Sequence, residues 1–441
     1  MTEDNPKISR RTLLGGAGAI VAVPYLVRSS AVGGAAASNR LTMGLIGLGS
    51  MGMRHVKGFL QEPDCRIVAV CDVDSLRRQA AVAEINAHYR NKDCRQYRNF
   101  RELIARTDID TLCISVPDHW HSIISIEALA AGRDVYGEKP LALTIPEGRA
   151  IVEAVARYGR VWQTGSWQRS TEHFRFGCEL VRNGRIGRLA RVEVGIGRGF
   201  KPQAAPATVF EIPPQPTMPV PEGFDYERWL GPAPWAPYTP KRCHWNFRWM
   251  LDYSGGQVTD WGAHHIDIAH WGMDADSTGP VEISGRGVFP KDGLWDAAVD
   301  YDFECKYEHG VTMLAGSNNH YKQGVRFIGE TGWVHITRAG LDANPKALLR
   351  DKIGPDEIHL ARPSGNHREG HRRNFLDCVK TRGATISPAE VGHHSAVPAH
   401  LGNIAMILGR KIRWDPAKEQ VVGDTAAGRM LGRAMRAPWR I

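Results

Sequence analysis

Leu41-Thr42-Met43-Gly44-Leu45-Ile46-Gly47-Leu48-Gly49-Ser50-Met51-Gly52 is the stretch that decides the fold. A short apolar run reads as a buried strand, and the glycines that follow fit a GxGxxG pattern. Gly47 allows the tight turn, Gly49 lets the backbone approach a pyrophosphate, and Gly52 lets the next helix pack close. That helix, predicted over about 51–60, would offer unpaired N–H groups near Ser50 and Met51 to phosphate oxygens. A second buried strand, 66–71, ends at Asp72. An acid there hydrogen-bonds the ribose hydroxyls of NAD and repels the 2′-phosphate of NADP. Arg77 and Arg78 leave NADP open, because a nearby arginine can accept that phosphate.

Outward from this stretch, helix and strand patterns alternate: helix 75–87, strand 111–116, helix 119–131 and strand 133–136. Alternation of this kind predicts an α/β, doubly wound parallel sheet, a Rossmann domain over 39–160. After Tyr158 the strands 161–165, 188–195, 281–288, 299–307, 310–315 and 332–336 follow with few helices between them. They predict a second α/β domain, 161–441, built on a large, mostly antiparallel open sheet. The Pro-rich segment 201–240 reads as a long ordered excursion, and 389–408 as a late helix broken near Pro398.

The chain's 441 residues are long for one core, which agrees with two domains. Its net charge of +9 comes without a long basic run, which argues against nucleic-acid binding. At the N-terminus, Ser9-Arg10-Arg11-Thr12-Leu13-Leu14 precedes an apolar stretch to Val27 that is short for a membrane span. It reads as a twin-arginine signal within a leader, 1–38, with Ala35-Ala36-Ala37 offering small residues for cleavage. The expectation is a periplasmic or otherwise exported protein that meets the twin-arginine translocase. The eight cysteines form no CxxC pair and read as small buried hydrophobes.

Two segments carry chemistry. Glu138-Lys139-Pro140 follows a strand of the nucleotide domain, and strand C-termini of such a sheet face the ligand crevice. Lys139 can therefore reach the junction of nicotinamide and substrate, although a lysine before proline is more often a surface residue. Asp260-Trp261-Gly262-Ala263-His264-His265-Ile266-Asp267 places Asp260 and His264 on one face if the segment is helical. A carboxylate beside an imidazole suits a general base. A helix capped by Asp260 around a core histidine, or a metal site of Asp260, His264, His265 and Asp267, remains open from the residues alone. Hydride chemistry needs no metal, so none is expected.

Taken together, 47–52, Cys71-Asp72, Val116-Pro117-Asp118-His119-Trp120-His121, Glu138-Lys139-Pro140, the Asp260–Asp267 pattern and the late helix resemble the glucose-fructose oxidoreductase/inositol dehydrogenase/MocA-like family. The likeness covers nearly everything after residue 40. It implies an NAD(P)-dependent oxidoreductase acting on a sugar or polyol hydroxyl, a catalytic or positioning Lys139, an Asp260–His264 dyad, and an open sheet that mediates a dimer or tetramer. It also implies a cis Lys139-Pro140 bond and places His121 near the cofactor, beside Pro117 and Glu138.

Around the expected dyad, Trp229, Trp235, Tyr238, Trp245, Trp249, Tyr253, Trp261 and Trp271 could stack on sugar rings or simply pack together. Trp167, Arg242, His244, Trp249 and His265 are the candidate substrate contacts, with Arg248 a further cation in the same run. Two other functions fit the same residues: an NAD-dependent glycosidase working by transient oxidation and elimination, and a non-catalytic sugar sensor. An exported enzyme far from the cytoplasmic cofactor pool would hold its cofactor tightly and recycle it in place.

Overall fold

A computed structural model of the protein describes residues 39–197 and 214–441. The Arg10-Arg11 pair, its apolar stretch and part of the Pro-rich excursion lie outside the described residues.

The first sheet has six parallel strands: β1 (Leu41–Ile46), β2 (Cys65–Cys71), β3 (Arg95–Tyr97), β4 (Thr111–Ile114), β5 (Asp134–Gly137) and β6 (Trp162–Thr164). Their order is β3-β2-β1-β4-β5-β6. It reverses between β1 and β4, and ligands bind at such a switch point, beyond the strand C-termini. The helices are α1 (Ser50–Phe59), α2 (Ser75–Tyr89), α3 (Phe100–Ile104), α4 (His121–Ala130) and α5 (Ile145–Tyr158). Local chemistry fixes where they begin. Asp74 caps α2 by accepting from the Leu76 and Arg77 amides, and Thr144 caps α5. β4 is buried throughout, which explains its unbroken apolar run.

One boundary moves. The sequence pattern assigns 161–165 to the second domain, but β6 pairs in parallel with β5 as the edge of the first sheet. An apolar run this short carries no mark of which sheet it joins.

The second sheet has nine strands: β7 (Leu189–Gly195), β8 (Glu282–Val288), β9 (Asp300–Lys306), β10 (Thr312–Gly316), β11 (Gly324–Gly329), β12 (Trp333–Thr337), β13 (Gly340–Asn344), β14 (Ile412–Asp415) and β15 (Gln420–Val421). Their order is β13-β12-β11-β7-β10-β9-β8-β14-β15, antiparallel except for the β7–β10 pair. The remaining helices are α6 (Glu172–Arg182), α7 (Tyr226–Leu230), α8 (Gln257–Asp260), α9 (Gly262–Met273), α10 (His367–Thr381), α11 (Ala389–Leu408) and α12 (Thr425–Arg429). Val192, Phe303, Phe327 and Ile336 of the sheet share one core with Phe174, Ile266, Ile268 and Leu401 of the helices.

α11 runs unbroken through Pro398, where the sequence predicts a break. Burial along almost its whole length outweighs the one lost N–H. All eight cysteines are buried and unpaired, and burial pushes the Cys65, Cys71 and Cys113 thiols up. Among the described residues no helix is long and apolar enough to cross a membrane.

Candidate active site

The glycine turn is tight enough to exclude side chains. Gly47 sits at φ +87°, and a Cβ there would stand 2.5 Å from the Ser115 carbonyl oxygen at the end of β4. A Cβ on Gly52 would stand 2.0 Å from the Gly47 carbonyl oxygen, so α1 packs directly on the turn. No side chain caps α1 and no acid occupies its first turn. Its free amides meet the cleft beside Gly49, Ser50 and Met51, a ready anion site.

Asp72 shapes this turn from below. Its carboxylate accepts from the Leu48 amide at 2.7 Å and the Asp74 amide at 2.9 Å. Burial raises its pKa, partly offset by Arg77 and these amides. Arg77 reaches over Gly49, and Arg78 donates to the Asp72 carbonyl at 2.6 Å.

One cleft joins Gly47, Gly49, Ser50, Met51, Asp72, Pro117, Glu138, Lys139 and Asp260. Its walls include Phe224, Trp229, His244 and Trp245 from the segment that follows the undescribed residues. That segment docks on the loop after β2, where Ser75 donates to the Gly223 carbonyl at 2.9 Å. Trp439, near residue 441, closes another wall. It lies edge-on to Trp120 at 4.7 Å with the Arg101 guanidinium 5.0 Å from its ring. The uncapped amides, the glycine turn that a Cβ would fill and the Asp72 carboxylate together fit NAD.

At the other end of the cleft, Lys139 follows β5 and a cis bond joins it to Pro140. Its ammonium donates to the Asp260 carboxylate and, at 3.2 Å, to the Asp260 carbonyl. Arg248 Nε lies 3.4 Å from the other carboxylate oxygen. Burial alone would raise Asp260, but Lys139 and Arg248 hold it down at about 2. Glu138 is buried behind this pair and bonded to His55 at 2.8 Å.

Asp260 and His264 sit at i and i+4, but no hydrogen bond joins their side chains. Trp261 separates α8 from α9 while keeping right-handed helical dihedrals, and the Asp260 carboxylate meets two cations instead of the imidazole. A buried carboxylate gains more from two charges than from a neutral ring. His264 packs edge-on against Trp167 at 6.3 Å and Trp261 at 6.2 Å, with its Nδ1 buried and unpartnered among the described residues. Burial first, then Lys139 and Arg338, push its pKa well below 6.5. His264 is therefore a neutral imidazole close to the Lys139–Asp260 pair.

Several other candidates have structural roles. His121 is buried away from the cleft, its two ring nitrogens 2.7 Å from the Pro140 carbonyl oxygen and 2.9 Å from that of Val116. It braces the loop that carries Lys139. His265 Nδ1 donates to the Gly195 carbonyl at 2.8 Å, and both Asp267 carboxylate oxygens accept from Arg169 Nε at 2.9 Å. Among the described residues, Asp260, His264, His265 and Asp267 do not gather into one ligand group. Arg242 lies against Met250 and Tyr253. Trp249 belongs to a buried aromatic cluster with Trp229, Tyr238, Tyr253 and Trp295, so most of the expected sugar-stacking wall is packing. His244 lines the cleft at the Asp74 end, away from Lys139, its pKa lowered to about 4 by burial and Arg77. Trp167 does stand beside His264, together with Arg338 and Arg368, which carry no local motif.

Fold and cleft together define a dinucleotide-binding protein with the Lys139–Asp260 pair at the far end of its cleft. Residues 41–166 match the family profile described as "Oxidoreductase family, NAD-binding Rossmann fold", and 170–441 match "Oxidoreductase family, C-terminal alpha/beta domain". The chain belongs to this Gfo/Idh/MocA oxidoreductase family and carries its NAD-binding domain. It is 32% identical to an inositol 2-dehydrogenase of Burkholderia multivorans over 33% of this chain and 43% of that protein. It is 34% identical to an alpha-N-acetylgalactosaminidase of Shewanella oneidensis over 26% of each. The chain thus spans well under half the length of these curated relatives. The WlbA dehydrogenase of Bordetella pertussis, solved with NADH and UDP-GlcNAcA, shares the fold at a TM-score of 0.60 and 19% identity, over 85% of this chain and 99% of that one.

Proposed function

We propose that this chain oxidises a secondary hydroxyl of a sugar or polyol, with NAD held in the cleft. The observation that carries the reading is the Lys139–Asp260 pair at the end of the NAD cleft, with neutral His264 beside it. Bound NAD supplies the hydride acceptor. Lys139, fixed by Asp260, donates to the hydroxyl oxygen and stabilises the negative charge that develops there. His264 takes the hydroxyl proton, and the indoles of Trp167 and Trp261 shield it from water. The dehydrogenase names among the relatives support this reading.

The alpha-N-acetylgalactosaminidase match favours a second reading, in which the same oxidation is transient and a glycoside is cleaved with no net redox change. The two part on one measurement. The purified protein is mixed with sugars and with their aryl glycosides, following reduced nicotinamide and released aglycone together. Accumulating reduced cofactor supports the dehydrogenase, aglycone without reduced cofactor supports the glycosidase, and neither signal over a broad panel would sink both. Intact Lys139, Asp260 and His264 argue against a mere sensor.

The Arg10-Arg11 segment supports export to the periplasm by the twin-arginine translocase, and export away from the cytoplasmic pool supports a cofactor that stays bound and is recycled. The open face of the second sheet is where a dimer or tetramer would form. A fusion of residues 1–38 to a reporter tests export.

A further inference from the structure

We infer that the sugar taken by this site is anionic, its carboxylate or phosphate held by Arg338 and Arg368 where they pack on Trp167; the inference rests on the reading of Lys139 and His264 as the oxidising centre. Arg338 lies in the turn between β12 and β13, its guanidinium 4.1 Å from the Trp261 ring and 4.8 Å from the Trp167 ring. Arg368, in the first turn of α10, lies 4.4 Å from the Trp167 ring. Its Nη1 is 3.7 Å from the Met51 sulfur, in the phosphate turn itself.

Other arginines in this protein that lie against side-chain rings find a carboxylate as well: Arg169 takes Asp267 and Asp276, and Arg101 takes Glu127. Arg338 and Arg368 have no carboxylate within 4.0 Å among the described residues. The anions nearby are committed elsewhere, Asp260 to Lys139 and Arg248, Glu138 to His55. Burial and the neighbouring Arg368 lower Arg338 to about 10. Two guanidiniums thus stand against the same indoles that flank His264, Arg338 on the exposed side and Arg368 partly buried, neither with a carboxylate partner among the described residues.

A bound anion would offset both the desolvation and the mutual repulsion. Planar guanidinium forks match carboxylate and phosphate oxygens. Trp167 offers the apolar C–H face of a sugar ring a surface beside them. A neutral sugar would leave both charges unmet.

The test is calorimetric titration of NAD-loaded protein with glucose, glucuronate, galacturonate and glucose 6-phosphate. At least one acid should bind about tenfold or more tighter than glucose. The uronates against the phosphate show which group is read. In an Arg338→Gln variant, which leaves the phosphate turn untouched, the preference should fall at least about threefold while NAD affinity stays within about twofold. An Arg338→Lys variant, which keeps the charge, should retain part of it and guards against simple misfolding. Equal binding of glucose, a preference that falls less than about threefold in the Gln variant, or no binding by any acid overturns the inference. Acids that bind without reducing nicotinamide uphold the anion site and overturn the oxidation reading. Neutral sugars that react while acids do not bind do the reverse.

Discussion

The two ends of the cleft are built differently. The phosphate end comes from one continuous stretch, β1, the glycine turn and the start of α1, with Asp72 one strand away. Backbone amides do its binding, and steric exclusion keeps it: a Cβ on Gly52 would overlap the Gly47 carbonyl. The other end is gathered from Lys139, Arg248 and Asp260, with Trp167, His264, Arg338 and Arg368 grouped beside them, delivered by several separate segments. There the side chains work through charge, and each one's state depends on the others. The difference predicts that the two ends fail separately: damage to the turn loses the cofactor, whereas damage to the cluster leaves it bound and idle.

The largest expected effect is at His264. His264→Ala should lower turnover about 100- to 10,000-fold, the usual span for a lost general base. NAD titration of the same variant should look normal, and near-normal turnover would remove the base assignment. Gly52→Val should do the opposite kind of harm. Overpacking against the turn costs about 1–3 kcal/mol, or roughly 5- to 150-fold in NAD affinity if the turn absorbs it. Calorimetry reads this directly, and unchanged affinity would mean that the turn is not the phosphate cradle. Trp439→Ala should be milder. Losing one aromatic contact, about 0.5–1.5 kcal/mol, should speed NAD release some two- to tenfold in stopped-flow fluorescence. An unchanged release rate would leave the C-terminal segment outside the account.

Two pH effects follow from burial. Because burial and neighbouring cations hold His264 well below 6.5, kcat/KM should stay flat as pH falls through that value. A limb at 6.5 would mean the ring is not shielded as described. Stability behaves differently. His119, His265 and His371 are buried and neutral, each lowered to about 4 by desolvation first. Unfolded, the same rings take up protons near 6.5, so the unfolded state binds more protons below that value. Their contribution is complete above pH 6.5 and is lost as pH falls toward 4. Urea midpoints should drop across this window.

The same contrast explains what the residues reveal before folding. The glycine turn, Asp72 and the alternating strands were legible because strand period, turn chemistry and capping are local. Lys139 was legible through its place at a strand end. That Asp260 meets Lys139 and Arg248 and not His264 was not, because both cations come from other segments. Arg338 and Arg368 lack any local signature: one is in a hairpin turn, the other opens a helix. The aromatic run 229–271 misleads for a related reason, since composition does not distinguish a buried cluster such as Tyr238, Trp249 and Tyr253 from a sugar platform. His121 resembled a cofactor contact in sequence and instead holds the Pro140 carbonyl, a role fixed by three-dimensional proximity alone.

The central claim is that Lys139 acts on the substrate oxygen and does not hold the cofactor. It is tested most directly by measuring, on Lys139→Ala, the NAD dissociation constant beside the single-turnover rate of nicotinamide reduction. The account predicts an NAD affinity within about threefold of the unsubstituted protein and a rate lowered by about 100-fold or more. A rate near normal, or a loss of NAD affinity that matches the loss of rate, would contradict it.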